Sequence, residues 1–241
     1  LNEEWSKLYR GIVETCLELG NYTAAIEYAD RSKARNLVEL IATRDAYPQG
    51  EIPAEVRQRL QSLRQAIDTE NRRLAQDPNP DYSHIDRLRQ EFQAKYPYTP
   101  LDFQHIQSLL DEETAILEWY ILGDKFLTFT ITAETLNLWT SSEGDLDHLI
   151  DWTNAYLKDY GTNKTQWQNR LSQRLATLSQ ILHLDDLLQN LRQQFPNCKK
   201  LILIPHRYLH LFPLHALPTS HQGETQPLQL RFPKGISYAP N

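Results

Sequence analysis

The chain has 241 residues, 40% of them hydrophobic and 23% charged, which is the composition of an ordinary soluble globular protein. Its net charge of −6 provides no basic surface for nucleic acid, and no stretch approaches the roughly 18 consecutive apolar residues of a membrane-spanning helix. Two cysteines, Cys16 and Cys198, are too few for a disulfide framework, so a cytoplasmic location is expected.

The two ends of the chain are unusual for a natural translation product. The sequence contains no methionine, even at position 1, and it stops abruptly after Tyr238-Ala-Pro-Asn241. The first residues, Leu1 to Trp5, have neither the basic start nor the apolar core of a secretory signal. The chain is therefore expected to be a piece of a longer protein.

Residues 4–44 have the periodicity of two helices separated at Gly20-Asn21, where glycine suits a helix C-terminus. The string Gly-Asn-Tyr-Thr-Ala-Ala-Ile-Glu-Tyr at 20–28 resembles the second half of a tetratricopeptide repeat, whereas Cys16 replaces the usual aromatic residue of the first half. A single repeat cannot bury both of its faces, so this one is expected to be the last of an array. The alternative is an unrelated helical hairpin.

A second helical hairpin is predicted after a turn-rich break at 47–53. Its first helix covers 53–76 and ends at Asp77-Pro-Asn-Pro80, because proline cannot continue a helix. The return helix covers 82–95. Arginines alternate with acidic residues on both helices, which predicts solvated outer faces; the alternative is an arm that docks a partner.

From Thr114 onwards the pattern becomes that of β-structure. Two runs rich in aromatic and β-branched residues flank a turn at Gly123-Asp124 and predict a hairpin, and a third strand follows. The predicted strands are Ala115–Ile121, Phe126–Ile131 and Leu136–Trp139.

Helical spacing returns over 145–160 and 165–194, with a turn near His183 to Asp185. The apolar run Leu201–Ile204 comes next. A short apolar run without alternation is typical of a strand that is buried on both faces in a parallel sheet. A loop to Lys234 and one short strand at Gly235–Tyr238 complete the chain.

A cluster of polar residues follows the strand at Leu201–Ile204 directly. In open α/β sheets, ligands bind at the carboxyl ends of the strands. We therefore predict that His206, Arg207 and His210 bind substrate, with Arg207 as the charged recognition group. The alternative for Arg207 is a surface ion pair.

A zinc site that includes His215 is a further alternative for these histidines. The sequence lacks a His-Glu-x-x-His motif and paired cysteines, and no carboxylate follows these histidines closely before Glu224, so no metal or cofactor is expected. The apolar residues between the histidines favour a loop that packs back on the domain, with the histidines making local hydrogen bonds.

Neither cysteine is a good candidate for a nucleophile. Cys198 precedes the strand and the histidines follow it, so a rise of about 3.3 Å per residue separates them by roughly 20 Å. Cys16 lies on an apolar helical face and is expected to pack in a core. There is no Gly-x-Ser-x-Gly elbow and no glycine loop for phosphate.

The stretch Ile204–Leu217, Ile-Pro-His-Arg-Tyr-Leu-His-Leu-Phe-Pro-Leu-His-Ala-Leu, resembles the CHAT family, the caspase-like domains associated with tetratricopeptide repeats. The family pattern is an apolar strand followed by Ile-Pro-His/Asp-Gly-x-Leu-His-x-Leu-Pro-Phe-His-Ala-Leu. This chain departs from it at Arg207, where glycine is usual, and at Leu214, where an aromatic residue is commoner. Three further stretches resemble other landmarks of the family: Asp30–Arg35, Ala115–Trp139 and Gly235–Pro240.

This resemblance implies a relative of caspases and separase, a group whose active members are cysteine peptidases. Their catalytic histidine lies in a His-Gly pair at the end of a later strand, and their cysteine lies in a Ser-Ala-Cys-like stretch after it. No histidine here precedes glycine and neither cysteine lies in such a stretch, so no catalytic residue is assigned. The loop after Ile204 would border the substrate cleft.

The resemblance thus implies a mixed α/β chain in three parts. Residues 1–46 would be the last repeat, 47–100 a helical hairpin, and 101–241 the start of a caspase-like α/β/α domain with a β-hairpin lead-in. The first hypothesis for function is a fragment of a CHAT cysteine endopeptidase, inert by itself, whose repeats receive a regulatory protein partner. The alternative is a protein-interaction scaffold with a degenerate caspase-like half.

Overall fold

A computed structural model of the chain describes residues 2–43, 53–77, 80–95, 102–142 and 144–239. The chain divides into two compact units, Leu1–Ser32 together with Leu101–Asn241, and Lys33–Pro100. The helices are α1 (Asn2–Glu18), α2 (Tyr22–Thr43), α3 (Ala54–Leu74), α4 (Ser83–Lys95), α5 (Phe103–Ser108), α6 (Asp145–Thr162), α7 (Lys164–Asn169), α8 (Leu171–Ile181) and α9 (Leu184–Gln194). The strands are β1 (Thr114–Ile121), β2 (Phe126–Ile131), β3 (Leu136–Thr140), β4 (Lys200–Ile204), β5 (Pro218–His221), β6 (Glu224–Pro227) and β7 (Ile236–Tyr238).

The unit Lys33–Pro100 contains the predicted helical hairpin. Helices α3 and α4 pack through a small apolar core, and an ion pair between Arg59 and Glu91 joins their exposed surfaces. Apolar residues spaced three, four or seven apart on α3 face α4, as the sequence pattern predicts. Residues 47–52 of the predicted turn, and Pro78 and Asn79, lie outside the described residues. The core consists of Leu60, Leu63, Ile67, Leu74, Ile85 and Phe92.

The larger unit is built on a mixed sheet with the strand order β3-β2-β1-β4-β7. Strands β1, β2 and β3 form an antiparallel meander, and β4 runs parallel to β1 on one side and to β7 on the other. Strand β4 was predicted from its apolar run alone, and its place between two parallel neighbours confirms it. Its residues Leu201 and Leu203 are buried, whereas Ile202 and Ile204 on the opposite face are only half-buried.

Helices cover both faces of this sheet. On one face, alternate residues of β1 such as Leu117 and Trp119 pack against α6, α8 and α9 in the larger core. On the other face, Ile116 and Tyr120 pack against α1, α2 and α5, which contribute Val13, Ala25, Ile26, Ala29 and Phe103. Since successive residues of a strand point to opposite faces, a strand with helices on both sides is apolar throughout. These layers make the fold mixed α/β, as predicted.

Two of the predicted breaks between helices are present, whereas the break at Arg170 between α7 and α8 was not predicted. Gly20 has a left-handed backbone with φ +69, and the amide of Asn21 donates to the carbonyl of Cys16 at 2.8 Å, which ends α1. His183 has φ +51 and separates α8 from α9 at the predicted turn. The predicted boundary between residues 46 and 47 lies outside the described residues.

Helix α5 and the hairpin β5–β6 are absent from the prediction. Helix α5 has only six residues, too few to show a period, and begins where Asp102 accepts a hydrogen bond from the amide of His105. The hairpin β5–β6 occupies part of the predicted loop. Arg231 holds this hairpin together by donating to the carbonyl oxygens of Thr219 and Glu224 at 2.8 and 2.7 Å.

Candidate functional site

The carboxyl ends of β1, β4 and β7 meet at one edge of the sheet, because these three strands are parallel. The loop that follows β4 begins with Pro205 and His206 and continues as a 3-10 helix at Arg207–Leu211. This edge carries the residues predicted to bind substrate. It is the position at which open α/β sheets place their ligands.

His206 is part of the core rather than a free side chain at this edge. It is buried, and its Nδ1 accepts a hydrogen bond from the backbone amide of Ile121 at 2.8 Å. Because an amide N–H only donates, Nδ1 must carry the lone pair and the ring proton lies on Nε2. The imidazole also stacks on the ring of Tyr120, with 4.8 Å between centroids and 8° between planes. His206 therefore fastens the end of β4 to the end of β1.

Tyr120 links His206 to the helices on that face of the sheet. Burial raises the pKa of its phenol, while a hydrogen bond with Ser32 and the positive charges of Arg207 and Arg10 act in the opposite direction. Ser32 lies on α2 and Arg10 on α1. Tyr120 thus lies where helices α1 and α2 meet the carboxyl edge of the sheet.

Arg207 has an unusual backbone and an exposed side chain. Its φ of +53 lies in the left-handed region, which favours glycine. Within the described part of the chain, its guanidinium makes no hydrogen bond or ion pair. The alternative of a surface ion pair therefore finds no partner among the described residues.

The other two histidines point to different surroundings. His210 lies in the same 3-10 helix as Arg207 and is exposed. The backbone amide of His215 donates to the hydroxyl of Tyr238 at 2.9 Å, and its Nδ1 lies 3.0 Å from the same oxygen. Burial raises the pKa of Tyr238, whereas the hydrogen bond from His215 lowers it. His215 thus ties the loop after β4 to β7, the local structural role that the sequence favoured.

The cysteines lie apart from this edge. Cys198 precedes β4, and its thiol donates to the carbonyl of Lys200 at 3.4 Å. Burial raises the pKa of Cys198 to about 11, so almost none of it is thiolate at neutral pH. Cys16 is half-buried against the core beneath α1 and α2. Both observations agree with the interpretation that neither is a nucleophile.

No three His, Cys, Asp or Glu side chains in the described ranges lie close enough together to hold a metal ion. The predicted residues His206 and Arg207 are adjacent at the edge but differ in role. His206 is buried and hydrogen-bonded to the amide of Ile121, whereas Arg207 is exposed.

Three further residues belong to this region and were missed from the sequence. Tyr120 and Tyr238 lie in predicted strands, but no local sequence pattern gives the strand register that brings them to His206 and His215. Glu118 is 1% exposed in the middle of β1, on the same face as Tyr120. A carboxylate inside an apolar strand was the one signal that could have identified it, because buried charges are rare unless they have partners.

No protein-family model matches the chain, and no curated protein matches it either. Among the helices described, none combines the length and the hydrophobicity needed to cross a membrane.

Proposed function

We propose that the chain is the N-terminal part of a CHAT-type cysteine endopeptidase, in which peptide-bond hydrolysis is carried out by a Cys-His dyad C-terminal to it. The observation that carries this proposal is the backbone at Arg207. The family pattern has glycine directly after Pro-His, and Arg207 keeps the left-handed conformation that glycine adopts most readily. This left-handed backbone supports the turn that the resemblance implies, although the glycine itself is absent.

In this proposal the edge formed by His206, Arg207 and His210 borders the substrate cleft. His206 is a positioning residue, because its Nδ1 is occupied by the amide of Ile121 and Cys198 precedes the strand that His206 follows. In the complete enzyme, a thiolate would attack the substrate carbonyl and an imidazole would transfer the proton to the leaving amine. The two free cysteines of this chain are compatible with a reducing compartment such as the cytoplasm.

The hairpin α1–α2 is proposed to be the last tetratricopeptide-like repeat and to receive a regulatory protein. It carries three exposed apolar residues, Leu8, Leu19 and Tyr22, of which Leu19 is 77% exposed. Another repeat or a partner packed on this hairpin could cover them. The same observation also favours the second candidate, a protein-interaction scaffold without catalysis.

The test is to compare this chain with the full product of its gene. We expect the 241-residue chain to leave denatured protein substrates intact, and the full product to cleave them in a reaction that iodoacetamide abolishes. A matched control carries Cys16→Ser and Cys198→Ser, and it should retain the activity of the full product. Loss of activity in that control would place the nucleophile in this chain, and partner binding without any hydrolysis would favour the scaffold.

A further inference from the structure

Strand β3 ends one side of the sheet, and it has no neighbour beyond it among the described strands. The side of β3 that faces away from β2 is called here the outer edge. We propose that this outer edge pairs antiparallel with the outer edge of a second copy of the chain, so that the two five-stranded sheets become continuous. The surface lies at the other end of the sheet from β7, and the proposal does not depend on the proposed function.

The hydrogen bonds at the two ends of β3 show which of its backbone groups face the outer edge. The amide of Thr132 donates to the carbonyl of Thr135 at 3.0 Å, and the amide of Ser141 donates to the carbonyl of Phe126 at 2.9 Å. In an antiparallel pair, residues that exchange hydrogen bonds alternate with residues that do not. The odd-numbered residues of β3 therefore bond to β2, and the N–H and C=O groups of the even-numbered residues point outwards. These outward-facing residues are Leu136, Leu138 and Thr140.

The open row of backbone groups is confined to these three residues. On one side of it, the amide of Ser142 donates to the carboxylate of Asp145 at 2.6 Å. On the other side, the amide of Glu134 donates to the hydroxyl of Thr132 at 3.3 Å. Within the described part of the chain, the outward N–H and C=O groups between these two points make no hydrogen bond. Such a row is a template on which another strand can pair.

Strand β3 also lacks the features that usually keep the edges of sheets apart. Its sequence, Leu-Asn-Leu-Trp-Thr, contains no charged residue and no proline, and its pairing with β2 has no bulge. Its first four residues are half-buried and Thr140 is exposed, so the described residues leave the strand partly open to solvent. Natural edge strands are commonly protected by lysine, proline or a bulge. An edge without this protection indicates that another strand covers it.

The symmetry of the open row selects a second copy as the strand that covers it. The three outward-facing residues are centred on Leu138, so a two-fold axis at this residue pairs it with Leu138 of the second copy. The same axis pairs Leu136 with Thr140 of the second copy, and Thr140 with Leu136. Each of these pairs exchanges two hydrogen bonds, so every outward N–H and C=O group in the row gains a partner.

The side chains agree with this register. Asn137 lies opposite Trp139 of the second copy, and Glu134, just before the strand, lies opposite Ser142. Like charges directly opposite each other destabilise a sheet, and from Glu134 to Ser142 this register has none. A strand of another protein would have to be selected by its side chains, and β3 presents no charged residue that selects one. The uncharged edge is therefore complementary to itself.

The first test measures self-association of the 241-residue chain and locates the interface. Analytical ultracentrifugation should show a monomer–dimer equilibrium between about 10 μM and 1 mM, because a small interface gives a modest affinity. Amide hydrogen exchange is then compared at the two ends of this range. The amides of Leu136, Leu138 and Thr140 should become more protected at high concentration. Those of Asn137 and Trp139, which already bond to β2, should not change.

The second test compares two substitutions at Thr140. Thr140→Pro removes one outward-facing N–H, which an edge strand tolerates because that group has no partner within the monomer. The dissociation constant of the dimer should rise at least about tenfold, since each dimer loses two hydrogen bonds. Thr140→Val keeps the N–H and should leave the dissociation constant unchanged. The Tm values of the two variants in dilute solution should agree within about 3 °C, which shows that the strand itself is intact.

Two kinds of result would overturn the inference. A chain that stays monomeric at about 1 mM would exclude the second copy and leave the outer edge to a strand of another protein. A dimer that leaves the three outward amides unprotected, or that is equally stable with Thr140→Pro, would form through another surface. Because the exchange measurement uses the unmodified chain, the inference stays testable even if Thr140→Pro fails to fold.

Discussion

The backbone amide of Ile121 donates to Nδ1 of His206 at 2.8 Å, across 85 positions of sequence. Ile121 ends β1 and His206 follows β4, so this bond joins the carboxyl ends of two parallel strands. The stacked ring of Tyr120 covers the imidazole on the face that α1 and α2 bury. The position of the candidate site therefore depends on one buried side-chain acceptor.

His206→Phe should lower the free energy of unfolding by about 1–3 kcal/mol, because a buried amide loses its acceptor while the aromatic stack is kept. His206→Asn should lower it less, since an amide oxygen can replace Nδ1. Urea unfolding and hydrogen exchange at the amide of Ile121 measure both effects. The control is the exposed His210→Phe, which should change stability by no more than about 0.5 kcal/mol. Wild-type stability in His206→Phe would refute the role of this bond.

Thr128→Val should stabilise the protein by about 1 kcal/mol, because the hydroxyl of Thr128 is buried in the middle of the sheet without a hydrogen-bond partner in the described structure. Valine has nearly the same shape, so no cavity forms. Thermal unfolding should show a rise in Tm of about 2–4 °C. Thr130 lies two residues further on the same strand face. Thr130→Val should have a smaller effect, since the hydroxyl of Thr130 is not among the buried groups that lack a hydrogen-bond partner. A lower Tm for Thr128→Val would contradict this account.

Asp145 should stabilise the protein at neutral pH but not in acid. Burial alone would raise its pKa, but hydrogen bonds from the hydroxyl and amide of Ser142 and the nearby His183 outweigh burial and lower the pKa below 3.8. A lowered carboxyl pKa contributes stability above the ordinary value, and this contribution is lost as pH falls through the folded-state value.

Unfolding free energies of the wild type and of Asp145→Asn, measured between about pH 2 and pH 7, test this prediction. The wild type should be more stable above about pH 5, and the two curves should converge in acid. The exposed Asp147→Asn, in the same first turn of α6, provides the control. A difference that stays constant to the lowest pH would show that the charge of Asp145 is not responsible.

Cys198 should react slowly with iodoacetamide in the folded protein. Burial raises its pKa from 9.0 to about 11, which leaves roughly one hundredth of the usual thiolate, and the reaction rate should fall in proportion. Mass spectrometry of the Cys16→Ser variant follows Cys198 alone, and the urea-unfolded variant gives the reference rate. The rate should increase about tenfold per pH unit up to the raised pKa. Equal rates in the folded and unfolded states would exclude a shielded thiol.

The elements with strong local patterns were predictable, because burial leaves a period or an apolar run in the sequence. Leu201–Ile204 and the hairpin of β1 and β2 are examples, and both lie where the sequence placed them. Helix α5 and the hairpin β5–β6 were not predictable, since six residues show no helical period and β5–β6 is short and polar. The hairpin depends on Arg231, which lies outside it and follows Thr219 and Glu224 by 12 and 7 residues.

The site was only partly predictable, for a related reason. The sequence shows that His206 and Arg207 follow a core strand, but not which strand lies beside it. The partners of His206 depend on the pairing of Thr114 with Lys200, which no local pattern specifies. The left-handed backbone of Arg207 could be expected only from the glycine of the resembling family.

The strand order also implies an order of events during folding. Strands β1, β2 and β3 are joined by short turns, so their pairing closes only small loops and should form quickly. The pairing of Thr114 with Lys200 instead closes a long loop, because the whole chain from β2 to α9 lies between these two residues. Strand β7 adds to β4 only afterwards. We therefore expect the slow phase of refolding to report the docking of β4. The edge formed by the carboxyl ends of β1, β4 and β7, which carries the candidate site, would then form only in the final step. A partly folded chain whose meander is complete would therefore still lack the candidate site.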